Sequence, residues 1–214
     1  MKPPRSERIA LPGPAGVIEA LIETPVFDGP APACFGVVCH PHPLYGGTLD
    51  NKVVYTLARA FEELGVPTIR FNFRGVGTST GVHDGGVGET DDALAVIDYG
   101  RRRWPGAALW LGGFSFGAAV AVRAADRASP ERLVIVAPGV TRVPMRGVPS
   151  PRGPWLIVQG SADDVVSPAE VLDWAGHQGE APVLRILEGA GHFFHGRLHE
   201  VRATVLQFLS DPRA

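Results

Sequence analysis

The sequence is poor in lysine, in cysteine and in long uninterrupted apolar runs. Lys2 and Lys52 are its only lysines, so nearly every cation is an arginine, a bias that by itself selects no function. Neither sign of charge dominates: 20 basic residues against 22 acidic ones give a formal net charge of −2. No basic excess argues for nucleic acid, and no acidic run reads as a solvated tail. The two cysteines, Cys34 and Cys39, do not make a disulfide framework. They bracket one apolar run and read as buried or edge thiols, which suits a reducing compartment. No segment approaches the roughly 18 continuous apolar residues of a membrane span. The first residues, MKPPRSERIALPGPAG, lack the apolar stretch of a signal peptide. The expectation is a soluble, cytoplasmic protein with neither a nucleic-acid nor a membrane partner.

What is present is enough apolar material for one full-sized core. The chain has 214 residues, 45% of them hydrophobic, which suits a single domain over 1–214 and is too short for two ordinary ones. Glycine (27) and proline (20) are abundant but fall between periodic segments, without a repeat or a low-complexity tract. Short apolar runs predict strands over 7–11, 17–23, 35–39, 66–73, 107–114, 133–137, 155–159 and 183–187. Helical spacing predicts helices over 51–64, 89–104, 116–128, 168–174 and 198–209. In the first of these, Val53, Val54, Leu57, Phe61 and Leu64 share a face, and Gly65 is a natural stop. A hairpin followed by alternating strands and helices is the pattern of an α/β fold. About eight mostly parallel strands would carry helices on both faces. Sites in such sheets form in the loops beyond the carboxyl ends of the strands.

The most informative of those loops is Gly113-Phe-Ser-Phe-Gly117, between the strand at 107–114 and an alanine-rich helix. A serine on a sharp strand-to-helix turn needs glycines two positions away on each side, because a Cβ there would strike the adjoining strand or helix. The turn exposes the Ser115 hydroxyl and places the Phe116 N–H at a helix N-terminus, where negative charge is stabilised. Chance alone would flank one of the serines this way with odds of roughly one in eight, so the pattern gains its weight from its placement.

A serine hydroxyl needs a base. His192, in Glu188-Gly-Ala-Gly-His-Phe-Phe194, follows the last strand and lies at the same sheet edge as Ser115. His195 and His199 are spaced i,i+4 but lack a third ligand, so they read as surface or helix-start residues rather than a metal pair. The acid should follow the strand at 155–159, where Gly160-Ser-Ala-Asp-Asp-Val-Val166 offers two adjacent carboxylates, Asp163 and Asp164. One would hold the imidazole tautomer and the other would face solvent or cap a helix.

These three segments, in the order Ser, Asp, His, make the chain resemble the α/β-hydrolase superfamily over essentially its whole length. The resemblance implies Ser115 as nucleophile, His192 as base and Asp163, three residues after the glycine, as acid. Cys39-His-Pro-His-Pro-Leu-Tyr-Gly-Gly and Phe71-Asn-Phe-Arg-Gly-Val-Gly-Thr-Ser79 resemble small, lidless bacterial serine hydrolases more narrowly. In that family the loop after the first parallel strand supplies the second oxyanion-hole N–H. Pro41 and Pro43 have none, which leaves His42, Leu44 or a neighbour, with Leu44 favoured beside Phe116.

His40 reads as a packed histidine that braces its loop, or as half of a metal pair with His42. Arg74-Gly-Val-Gly-Thr-Ser-Thr-Gly81 reads as a tight turn, or as a phosphate cradle one residue off the dinucleotide spacing. The segment 138–154 is too short for a lid domain, which implies an open site rimmed near Leu44, Phe116, Val140–Met145 and Phe193.

The expected function is a carboxylesterase-like serine hydrolase that acts on a small-molecule ester without cofactor or metal. Thioesterase, peptidase and dienelactone-hydrolase-like activities share the machinery. A non-catalytic or nucleotide-binding module is the reading from another class.

Overall fold

The computed structural model describes residues 5–26 and 32–211. Among them, eight strands form one sheet in the order β1-β2-β4-β3-β5-β6-β7-β8. The strands are β1 (Arg5–Gly13), β2 (Gly16–Thr24), β3 (Cys34–Cys39), β4 (Thr68–Phe71), β5 (Ala108–Phe114), β6 (Arg132–Val136), β7 (Trp155–Gly160) and β8 (Val183–Leu187). The β1–β2 hairpin is antiparallel and β2 also pairs antiparallel with β4; every other pairing is parallel. The helices are α1 (Lys52–Glu63), α2 (Val87–Arg103), α3 (Phe116–Ala128), α4 (Pro168–Gly176) and α5 (Leu198–Leu209).

Two hydrophobic layers cover the sheet, and the strand sequences feed both. Along β6, Leu133 and Ile135 enter one layer while Val134 and Val136 enter the other, because side chains alternate across a strand. Strand β7 divides its Trp155, Leu156, Ile157 and Val158 the same way. Helices α2, α3 and α4 pack on the first face, and α1 and α5 on the second. A strand buried on both faces has no polar side to show, which is why these runs read as continuously apolar.

The structure departs from the sequence reading at β4, expected over 66–73 and observed over four residues. Its amino end is claimed by the end of α1, where Val66 N donates to Phe61 O at 3.1 Å. Its carboxyl end is taken over by a side chain: Phe73 N donates to His40 Nε2 at 3.0 Å. A 3-10 turn over Pro43–Tyr45 was not expected either. The chain from 137 to 154, between β6 and β7, contains no helix, so no lid stands over the sheet edge there.

Candidate active site

Ser115 stands where β5 gives way to α3, with φ 56° and ψ −115°. A residue with a Cβ rarely takes a positive φ, so its surroundings must enforce the turn. A Cβ on Gly113 would collide with the Gly117 carbonyl, and one on Gly117 with the carbonyls of Cys39 and His40. Glycine at both positions lets β3, β5 and α3 converge. Ser115 N donates to Val136 O at 2.9 Å, and Ser115 O accepts from Gly139 N at 3.0 Å, which fastens the turn to β6 and its loop. Ser115 is 9% exposed.

The loops after β7 and β8 are stitched together. Ala162 N donates to Ala190 O at 3.0 Å, Ser161 N to Leu187 O at 3.1 Å, and Gly189 N to Ser161 Oγ at 2.8 Å. This union brings Asp163 to His192. His192 Nδ1 lies 2.8 Å from Asp163 Oδ2, and His192 Nε2 lies 3.0 Å from Ser115 Oγ. An ionised carboxylate can only accept, so Nδ1 carries the ring proton of neutral His192 and Nε2 is left to accept from the serine hydroxyl. The ring packs against Phe114 and Phe193, each with its centroid 5.0 Å away.

Asp163 is buried, and all its lone-pair directions are used. Oδ1 accepts from Val165 N at 2.9 Å and Val166 N at 2.7 Å, and Oδ2 accepts also from Gln159 Nε2 at 3.1 Å. Burial pushes its carboxyl up. The His192 hydrogen bond, the Val166 amide, the imidazole charge and the Val165 amide outweigh that and hold it below the ordinary carboxylate range. Asp164 is exposed. Gln159, fully buried, is a partner the sequence reading missed; a glutamine ending an apolar strand is its only signal.

The loop after β3 is braced by His40, which is fully buried. Because Phe73 N–H can only donate to its Nε2, its Nδ1 carries the proton and donates to Pro41 O at 2.6 Å. Burial lowers its pKa from 6.5 to about 4, with the Pro41 hydrogen bond opposing. The packed reading of His40 therefore fits its contacts. Among the described residues no group of three His, Cys, Asp or Glu side chains is placed to hold a metal ion.

The choice of Leu44 as second oxyanion donor has to be corrected. Its N–H donates to His42 Nδ1 at 3.2 Å, capping the 3-10 turn, and the residue is 69% exposed. An amide already committed to a ring nitrogen does not serve an incoming oxyanion. His42 and Phe116 both line the pocket beside Ser115, with rings 4.9 Å apart. No hydrogen bond within the described residues takes the N–H of either. Burial, then the neighbouring His83, pushes the His42 imidazole below its ordinary value, in keeping with its role as a neutral acceptor.

The Arg74–Gly81 loop does not offer a phosphate cradle, because a carboxylate of the protein already occupies it. Glu19 Oε2 accepts from Thr78 N at 3.0 Å and Asn72 Nδ2 at 2.8 Å, and the Thr78 amide leads the effects that hold Glu19 below its ordinary value against partial burial. Arg74 is spent on Asp92, at 3.0 and 2.8 Å. His195 and His199 are exposed.

Ser115 and His192 open into one cavity of about 490 Å³, walled in part by Tyr45, Asn51, Gly139, Arg142, Val165 and Phe193. Phe116, Arg142 and Phe193 lie within the rim expected from the sequence. Val140 and Val143 are instead buried beneath it.

A serine on a strained strand-to-helix turn, at the carboxyl edge of a mainly parallel sheet and in reach of an oriented imidazole, defines a serine hydrolase. The chain belongs to the α/β-hydrolase superfamily. The family model described as serine aminopeptidase S33 matches residues 46–152. A lidless α/β serine hydrolase from Xanthomonas campestris superposes with a TM-score of 0.90 and is 40% identical, covering 96% of this chain and 94% of its own. An α/β serine hydrolase homologue from Coxiella burnetii gives a TM-score of 0.90 at 42% identity, over 95% of this chain and 97% of its own. An uncharacterised protein of Rickettsia prowazekii is 35% identical over 189 residues, 83% of this chain and 79% of that protein. Among the described residues no helix is long and apolar enough to cross a membrane.

Proposed function

We propose that the protein hydrolyses carboxylic esters through an acyl-enzyme on Ser115. The reading is carried by one observation: His192 lies within hydrogen-bonding distance of both Ser115 Oγ and Asp163 Oδ2, at 3.0 and 2.8 Å. As Ser115 Oγ attacks the ester carbonyl, its proton passes to His192 Nε2. Asp163 keeps the proton on Nδ1 and stabilises the imidazolium that forms. The tetrahedral oxyanion is held by the N–H groups of Phe116, at the start of α3, and of His42. His192 then gives its proton to the departing alkoxide, and the alcohol leaves. Water repeats the sequence on the acyl-enzyme, releasing the carboxylic acid and restoring Ser115.

The chemistry needs a neutral imidazole, so turnover falls in acid. Thioesterase, peptidase and dienelactone-hydrolase-like activities would use the same side chains. The open cavity favours esters with small or protruding acyl groups over long buried chains.

A fluorophosphonate probe tests the reading. It should modify the native chain at Ser115, and Ser115→Ala should abolish both labelling and turnover of short p-nitrophenyl esters. Labelling elsewhere, or an unimpaired Ser115→Ala variant, would overturn it.

A further inference from the structure

Beside the candidate nucleophile the cavity wall is unbalanced in charge. Its lining includes Arg142 and no acidic side chain. Arg142 is held there by two connections. Its N–H donates to Gly139 O at 3.0 Å, and Gly139 N donates to the carbonyl of Ser115 itself, also at 3.0 Å. Its Nη2 donates to Val165 O at 2.5 Å, and Val165 N is bound to Asp163 Oδ1 at 2.9 Å. The guanidinium is thus suspended between the nucleophile turn and the acid loop.

That one bond uses one of five N–H donors, and Arg142 has no carboxylate partner among the described residues. Several other arginines are matched to carboxylates, as in Arg70–Glu23, Arg74–Asp92 and Arg197–Glu200, whereas Arg123, Arg132 and Arg185, which do not line the cavity, are not matched to one among the described residues. A second donor faces no competitor either. Asn51 Oδ1 is consumed by Val53 N and Val54 N at the start of α1, so the group this cavity-lining residue has left is its NH₂.

We propose that the substrate carries an anionic group, in the simplest case a carboxylate, which Arg142 holds while Ser115 attacks the ester; this rests on the esterase reading above. The planar fork of a guanidinium matches a carboxylate, and the pairing would orient the ester at the cost of few ordered side chains. Arg142 is exposed, so the attraction is screened by salt and modest. Its effect belongs in KM, since it binds a part of the substrate remote from the reacting carbonyl.

Two matched pairs of esters test this. The mono-p-nitrophenyl ester of adipate against p-nitrophenyl hexanoate puts the carboxylate on the acyl chain. The acetate ester of 4-hydroxybenzoate against phenyl acetate puts it on the leaving group. The readout is the ratio of kcat/KM, charged over neutral, in the native protein, Arg142→Gln and Arg142→Lys. In at least one pair the ratio should fall about fivefold or more in Arg142→Gln, through KM, recover in part in Arg142→Lys, and shrink as salt is raised.

Loosening of the acid loop by loss of the Val165 contact would slow both members of a pair alike and leave the ratio unmoved. Ratios that are the same in all three proteins, with Ser115 still labelled by fluorophosphonate, overturn the anionic substrate and leave the esterase reading standing. No labelling and no turnover of any of the four esters by the native protein would sink both.

Discussion

The N–H of Ala162 donates to the carbonyl oxygen of Ala190 at 3.0 Å, so the loop bearing Asp163 is fastened to the loop bearing His192. The contact is close because residue 160 has no side chain: a Cβ there would run into the Ala190 carbonyl. In Gly160→Ala the two loops should be forced apart, with a loss of about 1–3 kcal/mol in stability, as for overpacking in a filled interior. Ester turnover should fall even below the melting transition, because His192 would lose its alignment. Thermal melting and kcat, measured side by side, check this; a variant as stable and as active as the native protein would contradict it.

The two neighbouring acids differ in what they touch. Asp163 accepts from His192, Gln159 and two amides, whereas Asp164 is exposed. Asp163→Asn should presents an amide to the imidazole in place of an acceptor-only carboxylate and lower kcat by about 10³–10⁴. Asp164→Asn should stay within about twofold, as most exposed substitutions do. Equal losses in both would remove the basis for choosing Asp163.

His40 makes stability depend on pH. Its imidazole titrates at about 4 in the folded chain against 6.5 when free. Above 6.5 both states are neutral and the buried ring contributes fully. As pH falls from 6.5 towards about 4, the unfolded chain takes up a proton that the folded chain refuses, and stability drops; below about 4 the loss is complete. The difference amounts to about 3 kcal/mol. His40→Gln can still accept the Phe73 N–H but does not titrate. Its denaturant midpoint should therefore vary less with pH across that window than the native one, and parallel curves would refute the assignment.

His42 caps the turn that follows it by accepting from Leu44 N. His42→Ala removes that acceptor while keeping the backbone N–H at position 42. The loop should loosen and kcat should fall by about tenfold, in line with a misplaced oxyanion donor. His42→Asn should recover much of the loss, since asparagine accepts from the amide two residues on. Kinetics of the two variants decide it: an alanine variant with full kcat would rule out the cap's importance.

The alternation of apolar runs with helical spacing determined the fold class, because a strand covered on both faces has no polar side and an amphipathic helix has a single apolar stripe. Leu198–Leu209 and Val183–Leu187 stand where the local pattern puts them. Gly113 and Gly117 were legible for a similar reason: their steric demand is local, set by the turn itself. What only the tertiary structure decided was which partner each polar group meets. The end of β4 depends on His40, a residue from a distant segment, while the Leu44 amide meets His42 and Gln159 meets Asp163 within a few residues, partners that only the folded course of each loop selects. The charge of the cavity wall is of the same kind. Arg142 sits in a proline- and arginine-rich loop with no periodicity, and it lines the same cavity as Ser115 while bonded to Gly139 and Val165. Local patterns record steric and hydrophobic demands along the chain, whereas hydrogen-bond partners are assigned by the packing of the whole.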